Sequence, residues 1–303
     1  MKGITIALVS CLFLGLEPVF SKMLLNYIPP IVLAALASFA SAFLLVFILE
    51  VGHKIREIEE LGRRDIITLA VISLLSGVLA QLFYVTGLMN STATNAVLLT
   101  RLNSLLIALM GVIFLREKFS LHQIVGSVIM VAGVVVIATK NFTVPVEPMQ
   151  GDFLLILTSF CWATANIIMK KCLCSLPPEV IVIGRQGFAG VILLALAFNQ
   201  LPGAVNPLVL TYMTGLVILV FVVGQYLWYY ALEHTSACNV GLASLTIPLF
   251  GVIYAVTLLG ERLTSYQIIG GALIVVGLIA IEIHLSTLED IEHRIRTVHM
   301  PHH

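Results

Sequence analysis

Charge is what this sequence has least of. Only 11% of its 303 residues are Asp, Glu, Lys or Arg, against the roughly 25% with which soluble domains face water. That shortage excludes a soluble globular domain. Sixteen basic residues balance sixteen acidic ones, so there is no excess charge to recommend a nucleic-acid partner. Catalytic signatures are missing too. No Gly-x-Ser-x-Gly elbow, nucleotide-binding glycine loop or His-rich metal cluster interrupts the apolar runs, which argues against a membrane enzyme and leaves no cofactor or metal to expect. The HMPHH end of the tail reads as frayed chain, since nothing fixes its rings in a ligand geometry. Cysteine is scarce and odd in number. Cys172 and Cys174 stand too close for the usual disulfide or zinc spacing, and Cys11, Cys161 and Cys238 read with them as small apolar side chains. No cleavable signal is expected, because the first apolar block runs on to about Leu25 without a small-residue cleavage site.

What is present is apolar sequence. Hydrophobic residues make up 59% of the chain, the mean hydropathy is +1.07, and the apolar residues come in blocks of about 20, the length that crosses a bilayer as a helix. The expected fold is an all-α integral membrane protein with ten spans: 3–25, 31–51, 66–89, 95–114, 121–139, 151–170, 178–198, 208–232, 239–258 and 265–284.

The chain repeats itself. NAVLLTRLNSLLIALMGVIFLREKFSLHQIVGSVIMVAGVVVI, from Asn95 to Ile137, aligns without a gap on NVGLASLTIPLFGVIYAVTLLGERLTSYQIIGGALIVVGLIAI, from Asn239 to Ile281. The constant offset of 144 sets Glu117 on Glu261, Gln123 on Gln267, Gly133 on Gly277 and, further back, Gln81 on Gln225. Earlier parts align at an offset of 148, with Lys22 on Lys170 and Pro29-Pro30 on Pro177-Pro178. Two copies of one unit follow: a first repeat over 1–140, a polar linker over 141–150, a second repeat over 151–285 and a tail over 286–303. Five spans per copy is an odd number, so the second copy enters the membrane from the opposite side as an inverted 5+5 repeat.

Orientation follows from loop Lys and Arg. One side holds Lys2, Lys54, Arg56, Arg63, Arg64, Arg116, Lys118, Lys170, Lys171, Arg294 and Arg296, and the other only Lys22, Lys140 and Arg262. Both termini are therefore expected in the cytoplasm, with the chain in the cell membrane.

The segments FLREKFSLHQIVGSVIMVAGVVVIA and LLGERLTSYQIIGGALIVVGLIAI, each closing one repeat, resemble the ending of each repeat in the EamA family of the drug/metabolite transporter superfamily. The resemblance runs from Gly3 to His284. It implies ten helices in inverted 5+5 topology, alternating access without ATP hydrolysis, a central cavity built from spans 1, 3, 4, 6, 8 and 9, and a small-metabolite substrate.

Charges inside the spans need a partner or a wet cavity, because each costs at least about 2.5–3.5 kcal/mol in the membrane. Glu17, Arg101 and Gln81 fall near one depth, forming an expected outer polar layer. Arg185, Asn166 and Gln225 fall near another, on the inner side. Glu282 lies about a turn from the cytoplasm and can snorkel. Three readings stand open for Glu17 and Arg101. They pair with each other and lock the ends of spans 1 and 4, they form a split site in which Arg101 holds a carboxylate and Glu17 an ammonium or a proton, or they face separate cavities. LEPVFSKML also resembles the first helix of small multidrug resistance transporters, whose membrane glutamate binds protons and cationic drugs in turn, although Pro18 departs from that pattern. The repeat mate of Glu17 is Ala165, so this carboxylate occurs once.

Aromatics flank the polar positions. Span 8 carries Gln225, Tyr226, Trp228, Tyr229 and Tyr230, and span 3 carries Gln81, Phe83 and Tyr84. They form either an interfacial belt or a cavity wall, in which Gln225 with Tyr229 and Gln81 with Val85 share faces. Asn95 and Asn239 are expected as helix caps. Pro248, whose mate Ser104 follows Asn103, breaks span 9 near mid-membrane, where such carriers place ligands. The candidate substrate-binding residues are thus Glu17, Gln81, Tyr84, Arg101, Asn103, Asn166, Arg185, Gln225, Trp228, Tyr229 and Pro248. The expected activity is secondary transport, by export, of an amino acid or related zwitterion. The alternatives are a proton-coupled carrier of organic cations, and a receptor or assembly factor that transports nothing. Membrane lipid and a small-molecule substrate are the expected partners, with the chain a monomer or a homodimer.

Overall fold

The computed structural model describes residues 2–51, 61–115, 121–138, 150–172, 178–201, 206–234, 243–244, 246–277 and 279–280. Among them there is helix and no strand. Six helical runs are long and apolar enough to cross a membrane, Thr5–Leu24, Pro30–Ile48, Arg63–Met89, Gln150–Met169, Val180–Gln200 and Pro207–Trp228, and Ile124–Ile137, Ile247–Leu259 and Ser265–Gly277 are shorter apolar helices. The apolar helices wear their apolar residues outward as well as inward: Phe43, Ile113, Val128 and Val191 are all more than 60% exposed, as a bilayer solvent requires.

Several of the runs are broken, and the breaks are informative. The first is α1 (Lys2–Leu14) and α2 (Glu17–Leu24), parted at Gly15 and Leu16. Pro18 stands in the first turn of α2, where its missing N–H is harmless. After α3 (Pro30–Val51), α4 (Arg63–Ile72) passes into a π-helical stretch, Ser73–Leu79, before α5 (Ala80–Met89). Then come α6 (Ala93–Leu99) and α7 (Leu102–Leu115), parted at Thr100 and Arg101, and α8 (Leu121–Ala138). α9 (Gln150–Cys172) and α10 (Pro178–Ala197) follow, then α11 (Pro207–Gly215), a second π-helical stretch, Leu216–Gly224, and α12 (Gln225–His234). The chain closes with α13 (Ile247–Leu259) and α14 (Ser265–Gly277).

The two π-helical stretches fall on each other under the 144-residue offset, and the α-helix restarts at Ala80, next to Gln81, in the first and at Gln225 in the second. A π turn carries an extra residue and disturbs the regular ladder of carbonyl partners. At both places a hydroxyl from another helix bonds a carbonyl at the junction: Ser10 Oγ donates to the Gly224 carbonyl (2.7 Å), and Thr158 Oγ1 to that of Ala80 (3.3 Å). Ser10 and Thr158 are themselves mates under the offset of 148.

Helix contacts come in matched pairs as well. α9 packs on α5 and α7, α1 packs on α12 and α13, and α3 packs on α10. α8 and α14 meet through glycine. A Cβ on Gly277 would stand 2.5 Å from the Gly126 carbonyl oxygen, and one on Gly133 2.6 Å from that of Gly270, so the two backbones touch and only hydrogen fits between them. These small-residue faces, whose partner the sequence leaves open, are satisfied within one chain.

Pro248 stands in the first turn of α13, after Thr246 at the N-cap, so the interruption of span 9 falls just ahead of it. Thr246 lies two residues past the mate of Thr100, so the discontinuity beside Arg101 has a counterpart in the second copy.

Candidate functional site

The discontinuities set up the site. Gly15, at the α1–α2 break, lets α13 approach until a Cβ there would lie 2.9 Å from Phe250 Cβ, and Glu17 opens α2 immediately beyond. At the α6–α7 break the Thr100 hydroxyl donates to its own helix, at the Ala96 carbonyl (2.6 Å), leaving Arg101 to turn inward. The π-helical stretches end just ahead of Gln81 and Gln225, at Leu79 and Gly224.

These residues surround two cavities. The larger, about 240 Å³, is lined by Glu17, Gln81, Asn103, Asn166, Arg185 and Gln225, together with Ser76, Trp162, Ala165, Met169, Gln186 and Phe221. The smaller, about 90 Å³, is lined by Glu17, Tyr84, Thr100, Arg101 and Trp162 with the Leu14–Pro18 break and Val97 and Ile247. Among the described residues, four buried side-chain atoms have no hydrogen-bond partner: Arg101 Nε, Asn103 Oδ1, Arg185 Nε and Gln225 Oε1. Every one belongs to a residue lining one of these two cavities. Among the described residues, neither arginine forms an ion pair with Glu17.

The expected residues therefore gather, though not in two separate layers. Gln81 joins Arg185, Asn166 and Gln225 around the larger cavity instead of standing with Arg101, and Glu17 reaches both spaces. Asn103 also lines the larger cavity. On α5 it is Tyr84, three residues from Gln81, that faces the smaller cavity, whereas Val85 is buried in the core. Trp228 leaves the site. It packs beside Ala7, Cys11, Ala231 and Ala243, because α12 turns that face toward α1. Pro248 borders a separate apolar crevice between α13 and α14 with Leu249, Val252 and Ile268. The side chain of Tyr229 lies outside the described residues, as do Asn239 and Glu282. Cys11 and Cys161 are free thiols.

Trp162, Gln186 and Asp152 escape a sequence reading. Trp162 on α9 tilts against Tyr84 with ring centroids 5.8 Å apart. A tryptophan in an apolar run carries no mark of its role.

Asp152, at the start of α9, is 1% exposed and anchors a hydrogen-bonded network at one end of the bundle. Its carboxylate accepts from Ser91 Oγ and from Asn95 Nδ2 (3.1 and 3.2 Å to its two oxygens). Asn95 Oδ1 in turn accepts from Gln267 Nε2 (2.8 Å). The cap expected at Asn95 is instead Thr92, whose Oγ1 accepts from the Asn95 amide (3.0 Å), while the Asn95 side chain joins α6 to α9 and α14. Beside it Glu261 seats both carboxylate oxygens on the start of α6, accepting from the Ala93 amide (2.7 Å), the Thr94 amide (3.0 Å) and Thr94 Oγ1 (2.7 Å). Negative charge is favoured at that helix end. Lys22 Nζ donates to the carbonyls of Leu88 (2.5 Å) and Ser91 at the end of α5.

Gly260 aims Glu261. Its φ of 69° is left-handed, a conformation that costs a residue with a Cβ about 1–2 kcal/mol. Gly260→Ala is expected to lower stability by about 1 kcal/mol, read as a shift in the unfolding midpoint in detergent.

The cavities lie away from this network. Trp162 and Met169 are ten and seventeen residues beyond Asp152 on α9, about 15 and 25 Å along the helix. The network closes one end, and the larger cavity extends toward the other.

Comparisons with known proteins agree on what such a bundle is. The chain is 27% identical over 285 residues to an uncharacterized transporter of Methanothermobacter thermautotrophicus, covering 88% of this chain and 82% of that one. It is 25% identical over 259 residues to the uncharacterized transporter sll1164 of Synechocystis, covering 82% and 74%. The protein named "Probable amino-acid metabolite efflux pump" in Escherichia coli is 27% identical over 181 residues, 56% of this chain and 60% of that one. A solved crystal structure superposes with a TM-score of 0.68 over 95% of this chain and 99% of its own at 17% identity, a likeness of fold alone. The profile of the EamA-like transporter family matches twice, over residues 1–139 and 149–283. A multi-pass helical membrane protein with that double match, this chain belongs to the EamA-like transporter family of the drug/metabolite transporter superfamily.

Proposed function

We propose that the chain exports an amino acid or related zwitterion across the cytoplasmic membrane by alternating access, through ten spans arranged as inverted five-helix repeats over 1–140 and 151–285. The observation that carries this reading is the set of four unpartnered buried polar atoms around the two cavities. Leaving one buried donor or acceptor unpaired costs about 1–3 kcal/mol, and a fold keeps such atoms where a ligand or water completes them. Guanidinium donors suit a carboxylate, and a glutamate with amide oxygens suits an ammonium. One cavity offers both, since Arg185, Glu17, Asn103 and Gln225 all line it.

Matched helix contacts, paired π-helical stretches and the mated Ser10 and Thr158 bonds support the inverted repeat. The excess of Lys and Arg in the loops on the terminal side supports cytoplasmic termini. The network at Asp152 and Glu261 is then the closed extracellular end, and the larger cavity opens to the cytoplasm, where an exporter collects its cargo. The names of the efflux pumps among its relatives support that direction. The glycine faces of α8 and α14, satisfied within the chain, support a monomer. Among the described residues Glu17 is the one carboxylate lining either cavity, so a proton exchanged with cargo would ride on it.

The test is counterflow in proteoliposomes with a panel of amino acids and quaternary amines. We expect exchange of a zwitterion, reduced about tenfold or more in Glu17→Gln, the worth of one charge-assisted contact of about 1.4 kcal/mol, with its dependence on a pH gradient lost. Exchange of cations alone, abolished by Glu17→Gln and indifferent to Arg101→Ala, would replace this reading with an organic-cation carrier.

A further inference from the structure

Two residues, Glu17 and Trp162, line both cavities. Each cavity has its own arginine, Arg185 in the larger and Arg101 in the smaller, and each has a buried Nε without a partner. A single binding site does not call for two unpaired guanidinium groups in two spaces. The wall between them is aromatic: Trp162 tilts at 37° against Tyr84, which faces only the smaller space. Tyr84 is 3% exposed, fixed in the core, so of the two rings it is Trp162, lining both sides, that divides them.

We propose that Trp162 is a specificity-determining partition between two stations on one path. The anionic end of the cargo passes from Arg185 to Arg101 while its cationic end stays against Glu17, and the indole sets how large a side chain can make that transfer. This rests on the zwitterion reading above. The geometry supplies the reason for a hand-over: Glu17 is reachable from either space, so the ammonium keeps one partner while the carboxylate exchanges another. The small station, at about 90 Å³, has no room for a bulky side chain unless the partition yields.

The experiment has two arms. In the first, the native cysteines are replaced and Thr100→Cys is introduced in the smaller cavity, and its labelling by a charged, membrane-impermeant thiol reagent is timed in inside-out vesicles. Trp162→Ala is expected to speed labelling about tenfold or more over Trp162, and Trp162→Phe to leave it within about twofold. In the second arm, counterflow compares an alanine-sized with a phenylalanine-sized amino acid. Trp162→Ala is expected to shift their ratio about tenfold toward the larger, with Trp162→Phe near wild type. Trp162→Leu stands in if the alanine variant does not fold. An unchanged labelling rate in the alanine or leucine variant overturns the partition whatever the substrate is. Faster labelling with an unchanged ratio overturns its role in specificity. If wild type exchanges no zwitterion, the functional reading fails on its own, and labelling alone decides whether Trp162 divides the path.

Discussion

Asp152→Ala is expected to destabilise the protein by about 2–5 kcal/mol. The carboxylate is 1% exposed and receives the Ser91 hydroxyl and the Asn95 amide. Truncation strands both donors where water does not reach, at about 1–3 kcal/mol each. The loss spreads, because the Asn95 amide oxygen holds Gln267 and so ties α6 to α14. Asp152→Asn keeps an acceptor and should lose about half as much. Chemical unfolding in detergent measures this. An alanine variant that unfolds with the wild-type midpoint would mean the carboxylate does not hold this end of the bundle together.

Arg185→Ala is expected to weaken cargo binding about a hundredfold or more. Removing one member of a buried, hydrogen-bonded charge pair costs about 2–5 kcal/mol, and the substrate's carboxylate would be left in a cavity whose other ionisable group is Glu17. Arg185→Lys should recover little, since a point charge lacks the planar fork that fits a carboxylate with two bonds. Arg101→Ala should behave differently. It leaves the larger cavity intact, so the half-saturating concentration stays near wild type while turnover falls. Concentration-dependent counterflow separates the two effects. Equal losses of affinity in both variants would put the two arginines in one site.

Much of this arrangement is legible in the sequence because charge in an apolar run is conspicuous. Glu17, Arg101 and Arg185 stand out for the energy it takes to put them there, and all line the cavities. The repeat is legible from its register, and the positions of Gln81 and Gln225 follow from it. Orientation of the apolar faces is not. Val85, Trp228 and Pro248 face the core, α1 and an apolar crevice between α13 and α14 because neighbouring helices decide which side of an all-apolar helix turns inward. A hydrophobic pattern with no polar face carries no such information. Trp162 is missed for the same reason. Asp152 is missed because an acid at the start of a span reads as solvated, and only the folded chain brings Ser91 and Asn95 over it.

The mated π-helical stretches also carry history. A π turn is an inserted residue, and two insertions at one position of two copies, each met by a hydroxyl at mated positions 10 and 158, are most simply one insertion that was copied. On the inverted repeat proposed above, the single-copy ancestor already held this irregularity, and two of its chains, set head to tail in a membrane, would have exchanged those hydroxyls across their dyad. Glu17, opposite Ala165, marks a later departure: once both halves shared one chain, a single acid could be kept in one and dispensed with in the other, which two identical subunits cannot do.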